Sequence, residues 1–255
     1  MSNFNTKRFI QTFKWSMLAT KKEMTTIAGC MFFLYLIPFI ISVMSSYGKL
    51  DIIAESDIQS ATITCISFFT FYIMISGCWI LNNMKTKEQR ITFKMLPASD
   101  LEKYLSRVIY ITVVWFAIGI LTYFLADICR MLICLISGTH GTYSTIPLAL
   151  KMILTENHMI YIWVFWAHSL YVLGGAFFRR RQFILTSCVH FLLGFIALFL
   201  SRYKNSVIID PDSTHINVLL CIYPFVAFAI ALFNWWLAYK LFKRSQVINN
   251  KWINL

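Results

Sequence analysis

Two histidines, His168 and His190, fall inside long apolar stretches of the chain. An ionisable ring in such a setting is a functional candidate, because apolar surroundings penalise it unless a partner or a reaction keeps it there. Two imidazoles could begin a metal site, but such a site also wants a carboxylate or thiolate, and none is placed with them. The other reading is a pair of neutral rings hydrogen-bonded between helices, the role also expected of Asn234 in the last apolar stretch. Other catalytic signatures are missing. The sequence has no G-x-x-x-x-G-K-[ST] loop, no Gly-rich dinucleotide loop, no H-E-x-x-H, no G-x-S-x-G elbow and no paired acids within an apolar run. The chain is therefore expected not to be an enzyme, with no catalytic residue, cofactor or metal of its own. Asp127 and Arg130, spaced i, i+3, are expected to pair on a helix surface near the outer end of the third span. The seven cysteines contain no C-x-x-C and read as small buried hydrophobes left reduced; Cys129 and Cys134 could bond only across an irregular backbone.

The elements that carry these residues follow from composition. Apolar residues make up 58% and charged residues 13%, against about 25% charged in a soluble globular protein. Too little polar surface remains to cover a soluble fold, so the expected class is all-α and polytopic in a membrane. Six apolar runs approach the roughly 20 residues that cross a bilayer: Thr25–Met44, Ile58–Leu81, Tyr104–Ala126, Met159–Phe178, Phe183–Ser201 and Ile216–Tyr239. No small-x-small cleavage site accompanies the first run, which is therefore expected to span and not to be a cleaved signal. Pro38 and Pro224 are expected as tolerated kinks. Trp79, Trp163, Trp166, Trp235 and Trp236 stand where interfacial belts form, and Gly174-Gly175 invites close helix packing.

The net charge of +12 sits in short blocks between apolar runs and not in one basic domain with stacking aromatics, which argues against nucleic acid. With the amino terminus inside, 18 of the 23 Lys and Arg residues fall on the inner side. Both termini are accordingly expected in the cytoplasm. Residues 1–24 read as an amphipathic helix in the headgroup plane, with Phe9, Ile10, Phe13 and Met17 on one face and Trp15 at the interface. Residues 25–240 form the six-helix domain and 241–255 a cytoplasmic tail. Outside, 127–158 is the largest segment; its Ile146–Leu154 piece is too short to span and is expected to rest on or dip into the outer leaflet. Asp210-Pro211-Asp212 marks a turn between the last two spans.

The most strongly charged interval between two spans runs from Asn82 to Arg107, NNMKTKEQRITFKMLPASDLEKYLSR. Pro97 ends whatever helix precedes it. Ser99 then offers an N-cap and Glu102 completes an S-x-x-E capping box. A short helix, a break and a freshly capped helix at one surface suit a docking element.

Six spans with both ends inside, the amphipathic amino-terminal helix and the charged 82–103 loop resemble the permease subunit of bacterial ABC-2 type ABC transporters. The segment MLPASDLEKYLSR, Met95 to Arg107, is similar to the L-P-A-S-x-x-E-K segment of a group of these permeases, and the closing KWINL has a family look. The resemblance implies a separate ATPase subunit that binds ATP and Mg, which accounts for the missing P-loop. It implies a coupling helix in the loop after span two, with Lys87, Glu88, Arg90, Phe93, Met95 and Leu96 as docking residues. Arg179, Arg180 and Arg181 would make a smaller contact. It further implies a second permease copy, residence in the cell membrane, and export of a substrate the sequence does not identify. Two alternatives stand beside it: an accessory or immunity-type membrane protein acting without an ATPase, and a membrane-embedded enzyme using His168 and His190.

Overall fold

The structure, a computed structural model, describes residues 4–47, 51–84, 86–138, 142–155, 159–178, 180–207 and 213–245. Among these the architecture is all-helical. In chain order the helices are α1 Thr6–Ala19, α2 Lys21–Ser46, α3 Asp51–Ser76, α4 Lys87–Met95, α5 Asp100–Ile109, α6 Trp115–Ser137, α7 Ile146–Thr155, α8 Met159–Phe177, α9 Gln182–Val207 and α10 Ser213–Arg244. Two 3₁₀ turns, Gly77–Trp79 and Asn82–Met84, follow α3, and a π turn, Tyr110–Val114, joins α5 to α6.

Six helical stretches among the described residues are long and apolar enough to cross a membrane: Lys21–Ser46, Glu55–Met84, Asp100–Ser137, Ile160–Phe177, Gln182–Phe199 and Pro224–Arg244. Their outward residues say the same. On α2, Phe33, Ile37, Ile41 and Met44 recur at helical spacing and are all largely exposed, a stripe that water would penalise and acyl chains accept. α2 continues through Pro38 and α10 through Pro224. The apolar piece at 146–154, too short to span, folds as the helix α7.

The third span departs from expectation. The helix does not end near Ala126 but runs on to Ser137, where Gly138 terminates it with a left-handed backbone, φ 64°. Asp127 and Arg130 therefore lie inside the helix and are buried, not at its surface. Cys129 and Cys134 sit on the same regular helix and are free. The Asp210-Pro211-Asp212 turn and the KWINL end lie outside the described residues.

The chain divides into two compact units. The first comprises Met1–Ser16, Met74–Ile111 and His158–Leu255, and the second Met17–Ile73 and Thr112–Asn157. In the first unit, α8 is the centre, packed by α10, α9 and the Gly77–Trp79 turn. Its core joins Met74 and Cys78 to Ala167 and Tyr171. Here backbones touch. A Cβ built on Gly77 would lie 2.6 Å from the Val172 nitrogen and 2.8 Å from the His168 oxygen; one on Gly175 would lie 2.8 Å from the Cys78 oxygen. Gly175 thus does pack closely, and Gly77 is its counterpart across the contact. Gly77→Ala is expected to cost about 1–3 kcal/mol, because the obstructing atoms are backbone and must shift. Gly29, whose Cβ would meet nothing within 4 Å, serves as the control: Gly29→Ala should be neutral or stabilise by up to about 1 kcal/mol through helix propensity. Denaturation midpoints of the two purified variants in mild detergent check the contrast.

In the second unit α2 packs on α6. Tyr35 and Phe39 bury against Tyr123, with ring centroids 5.6 and 5.8 Å apart, and Tyr72 stacks on Trp115 at 5.3 Å.

Candidate functional site

The Asn82–Arg107 interval folds as a helix, a break and a second helix. Thr86 opens α4, accepting the Gln89 N–H at 3.2 Å while the Gln89 side chain accepts from the Thr86 N–H, a complete capping box. Leu96, ahead of Pro97, takes the extended backbone that proline demands (φ −55°, ψ 136°), and α4 stops at Met95. Ser99 then caps α5: its hydroxyl accepts the Glu102 N–H at 3.3 Å, and the Glu102 carboxylate accepts the Ser99 N–H at 2.7 Å. The carboxyl end of α4 is held as well, because the Lys103 ammonium donates to the Lys94 carbonyl at 2.8 Å.

The residues implied as contacts separate into two sets by helical geometry. Lys87 and Glu88 are exposed, Met95 is 79% exposed and Leu96 is half-buried. Arg90 and Phe93, three residues apart and so on one face, turn inward instead. Phe93 is wholly buried, its ring 5.7 Å from Trp15 of α1 and 6.1 Å, edge-on, from Phe242 of α10. The Arg90 Nε donates to the Thr86 carbonyl at 3.3 Å. These two fix α4 from behind, while Lys87, Glu88 and Met95 face away from that contact and Leu96 lies between. The Glu88 carboxyl is held below its usual range by a backbone N–H in the first turn and by Thr86. Burial lowers the Lys94 ammonium, opposed by nearby Asp100. Its Nζ donates to the Phe242 carbonyl at 3.4 Å and stands 5.0 Å from that ring.

Behind α4 two charged side chains of α5 clasp α1. The fully buried Glu102 carboxylate accepts the Asn5 N–H at 2.7 Å and the Arg8 guanidinium at 3.1 Å. It therefore caps two helix starts, since Asn5 itself accepts from the Lys7 and Arg8 N–H groups that open α1. A carboxylate at two converging positive helix ends is favourably placed. Arg107, also fully buried, donates to the Ser16 hydroxyl at 2.9 Å and to the carbonyls of Ile80 and Trp79 at 2.9 and 3.0 Å. Its guanidinium lies over the Tyr110 ring, 4.7 Å from the centroid. Tyr104 completes the web, donating to the Trp235 carbonyl at 2.9 Å and packing against Tyr239 and Phe242. Thus α1, α4, α5 and the end of α10 form one connected block.

α1 accordingly differs in its use of faces. The inward line is Arg8, Thr12, Trp15 and Ser16, with Thr12 and Ser16 buried, while Ile10 and Leu18 are exposed. Phe9, Phe13 and Met17 are half-buried between the two.

The histidines have separate neighbours. His168 is buried, its Nδ1 3.3 Å from the Ser76 hydroxyl, with Trp235 edge-on at 6.5 Å. His190 packs among Trp163, Trp166 and Tyr171 at 5.8, 5.6 and 5.9 Å. Among the described residues no three His, Cys, Asp or Glu side chains converge on a metal-sized site. Asn234 is interhelical glue, its Nδ2 donating to Ser169 of α8 at 3.0 Å. Arg180 and Arg181 are exposed in the turn between α8 and α9; Arg179 lies outside the described residues.

Three features escaped the sequence reading. The T-x-x-Q box at Thr86–Gln89 was visible in the same form as S-x-x-E. The second role of Glu102 was not, because its partners lie 94 and 97 residues away. The polar network around Asp127 was likewise hidden. No family model, curated protein or solved structure matches the chain.

Proposed function

We propose that this chain is the membrane-spanning permease subunit of an ABC-2 type ABC transporter. It works as an exporter in the cell membrane with both termini in the cytoplasm, as two copies paired with two ATPase subunits. The observation that carries the reading is α4: a short, doubly capped helix between two spans, its inner face locked to α1 and α10, with Lys87 and Glu88 exposed in its first turn and Met95 exposed at its end. A large apolar side chain exposed on a polar helix is what a partner's cleft would take up. α1 lies in the headgroup plane in this reading, with Ile10 and Leu18 toward lipid.

The mechanism follows from the block. ATP closes the partner ATPases on each other, which favours one position of α4. Phe93 passes that preference to Trp15 and Phe242, and the Glu102 and Arg107 clasps keep α1 and α5 moving with it. ATP thus shifts the population of two membrane arrangements by binding one better than the other. His168, His190 and Asn234 hold helices together and do no chemistry.

Purification of the full chain from its native cell in mild detergent tests this. A stoichiometric P-loop ATPase is expected to accompany it, with ATP hydrolysis in the purified complex. Met95→Asp and Lys87→Glu should each weaken that association about tenfold, the effect of losing one good interface contact. A chain that purifies stable and alone overturns the reading.

A further inference from the structure

A cavity of about 520 Å³ opens in the first unit where α3 ends and α9 begins. Its walls include Trp79 and Asn82 on one side, and Arg180, Arg181, Phe183 and Ile184 on the other. Polar and apolar parts are segregated along the chain: two guanidinium groups and a carboxamide come from turns, and the apolar side chains from the ends of membrane-spanning helices. We propose that this cavity binds the phosphate headgroup of an anionic phospholipid from the adjoining leaflet, with one acyl chain running down α9.

Four observations converge on that occupant. Arg180 and Arg181 are exposed, and among the described residues neither forms an ion pair, so their charge is available to a ligand. The turn that presents them is unusual: Arg181 has φ 52°, a left-handed conformation that side chains with a Cβ seldom adopt. The positive end of the α9 dipole lies at the same place, since α9 starts at Gln182. Below, α9 is the least covered of the six spans, with 6% of its apolar window buried against 28–44% for the others. Phe183, Ile184, Phe191 and Phe195 are exposed along it. A protein partner in solution would meet the arginines but not this apolar run, whereas a phospholipid meets both. Basic pockets between spans are suited to anionic headgroups, each arginine contributing about fivefold in affinity.

The purified, delipidated full chain in detergent is titrated with dioleoylphosphatidylglycerol or dioleoylphosphatidylcholine and followed by native mass spectrometry. Phosphatidylglycerol should be retained preferentially. Arg180→Gln/Arg181→Gln should weaken it about thirtyfold, the product of two arginines. Arg180→Lys/Arg181→Lys, which keeps the charge, should preserve most of the binding. Ile184→Trp, which fills the apolar wall and leaves both arginines, should also weaken it. Equal retention of the two lipids, or unchanged phosphatidylglycerol binding in the Gln variant, overturns the proposal. Displacement of the lipid by millimolar inorganic phosphate would mark a free-anion site and overturn it too. The assay uses the chain alone, so its result is independent of the transporter reading.

Discussion

Arg107→Ala is expected to destabilise the chain by about 3–5 kcal/mol, because it strips donors from buried acceptors and leaves them dry. The guanidinium serves the Ile80 and Trp79 carbonyls and the Ser16 hydroxyl at once, at 2.9, 3.0 and 2.9 Å. Those carbonyls lie at the end of the second span, where a helix carries its negative partial charge, so a cation there is favoured as well as hydrogen-bonded. Alanine removes both effects and opens a space under Tyr110. Arg107→Lys should recover only part of the loss, since one ammonium cannot reproduce a planar fork that reaches three acceptors. Ser16→Ala, which removes a single acceptor, should cost about 1 kcal/mol. Denaturation midpoints in detergent, read by tryptophan fluorescence, rank the three. An Ala variant as stable as the parent would mean that desolvating the guanidinium offsets all its hydrogen bonds.

The ranking bears on function because Arg107 and Glu102 grip opposite ends of α1. Glu102 holds Asn5 and Arg8, and Arg107 holds Ser16, near the helix's far end. A helix fastened at one end can swing; fastened at two it moves with its support. The Arg8–Glu102 ion pair itself adds little, since the arginine is about one-third exposed and screened. The backbone N–H groups of Asn5 and Ser99, both 2.7 Å from the carboxylate, carry most of that end.

The six spans were legible because hydropathy integrates over some twenty residues, and no local detail disturbs that sum. The end of the third span was not. Asp127 and Arg130 read as the charge that marks a membrane edge, yet they satisfy each other within the helix, which then continues to Gly138. The glycine was the better stop signal, and the charge outweighed it. The cap at Ser99 was legible for the opposite reason: a capping box is local, and four residues contain all its chemistry. Phe93 shows the limit of position-by-position transfer from a resemblance. Its helical phase sets it beside Arg90, but which face of α4 turns inward depends on Trp15 and Phe242, 78 and 149 residues away in sequence.

Asp127→Ala should be as damaging in the second unit as Arg107→Ala is in the first. The carboxylate is buried and receives the Arg130 guanidinium at 2.9–3.0 Å, the Ser144 hydroxyl at 2.8 Å, and both the N–H and hydroxyl of Thr145 at 3.0 and 2.8 Å. Arg130 in turn donates to the Tyr143 carbonyl and covers the Phe39 ring at 5.6 Å. Tyr123 joins through the Thr145 hydroxyl at 2.9 Å. The network pins the 143–145 turn, and with it the start of α7, to the body of α6. Removing the acid leaves a buried cation and several donors without their acceptor, at a cost of about 3–5 kcal/mol. Removing both charges is a different matter. Asp127→Leu/Arg130→Met replaces an expensive pair with apolar volume and should restore much of the stability, because the arginine's desolvation disappears with it. The turn should nevertheless stay loose in the double variant, since Ser144 and Thr145 still lack their acceptor. Limited proteolysis of residues 142–146 should therefore be faster in both variants than in the parent, while the denaturation midpoint recovers only in the double one. Equal midpoints for the single and double variants would show that Asp127 acts through the turn alone and that its bond to Arg130 contributes nothing.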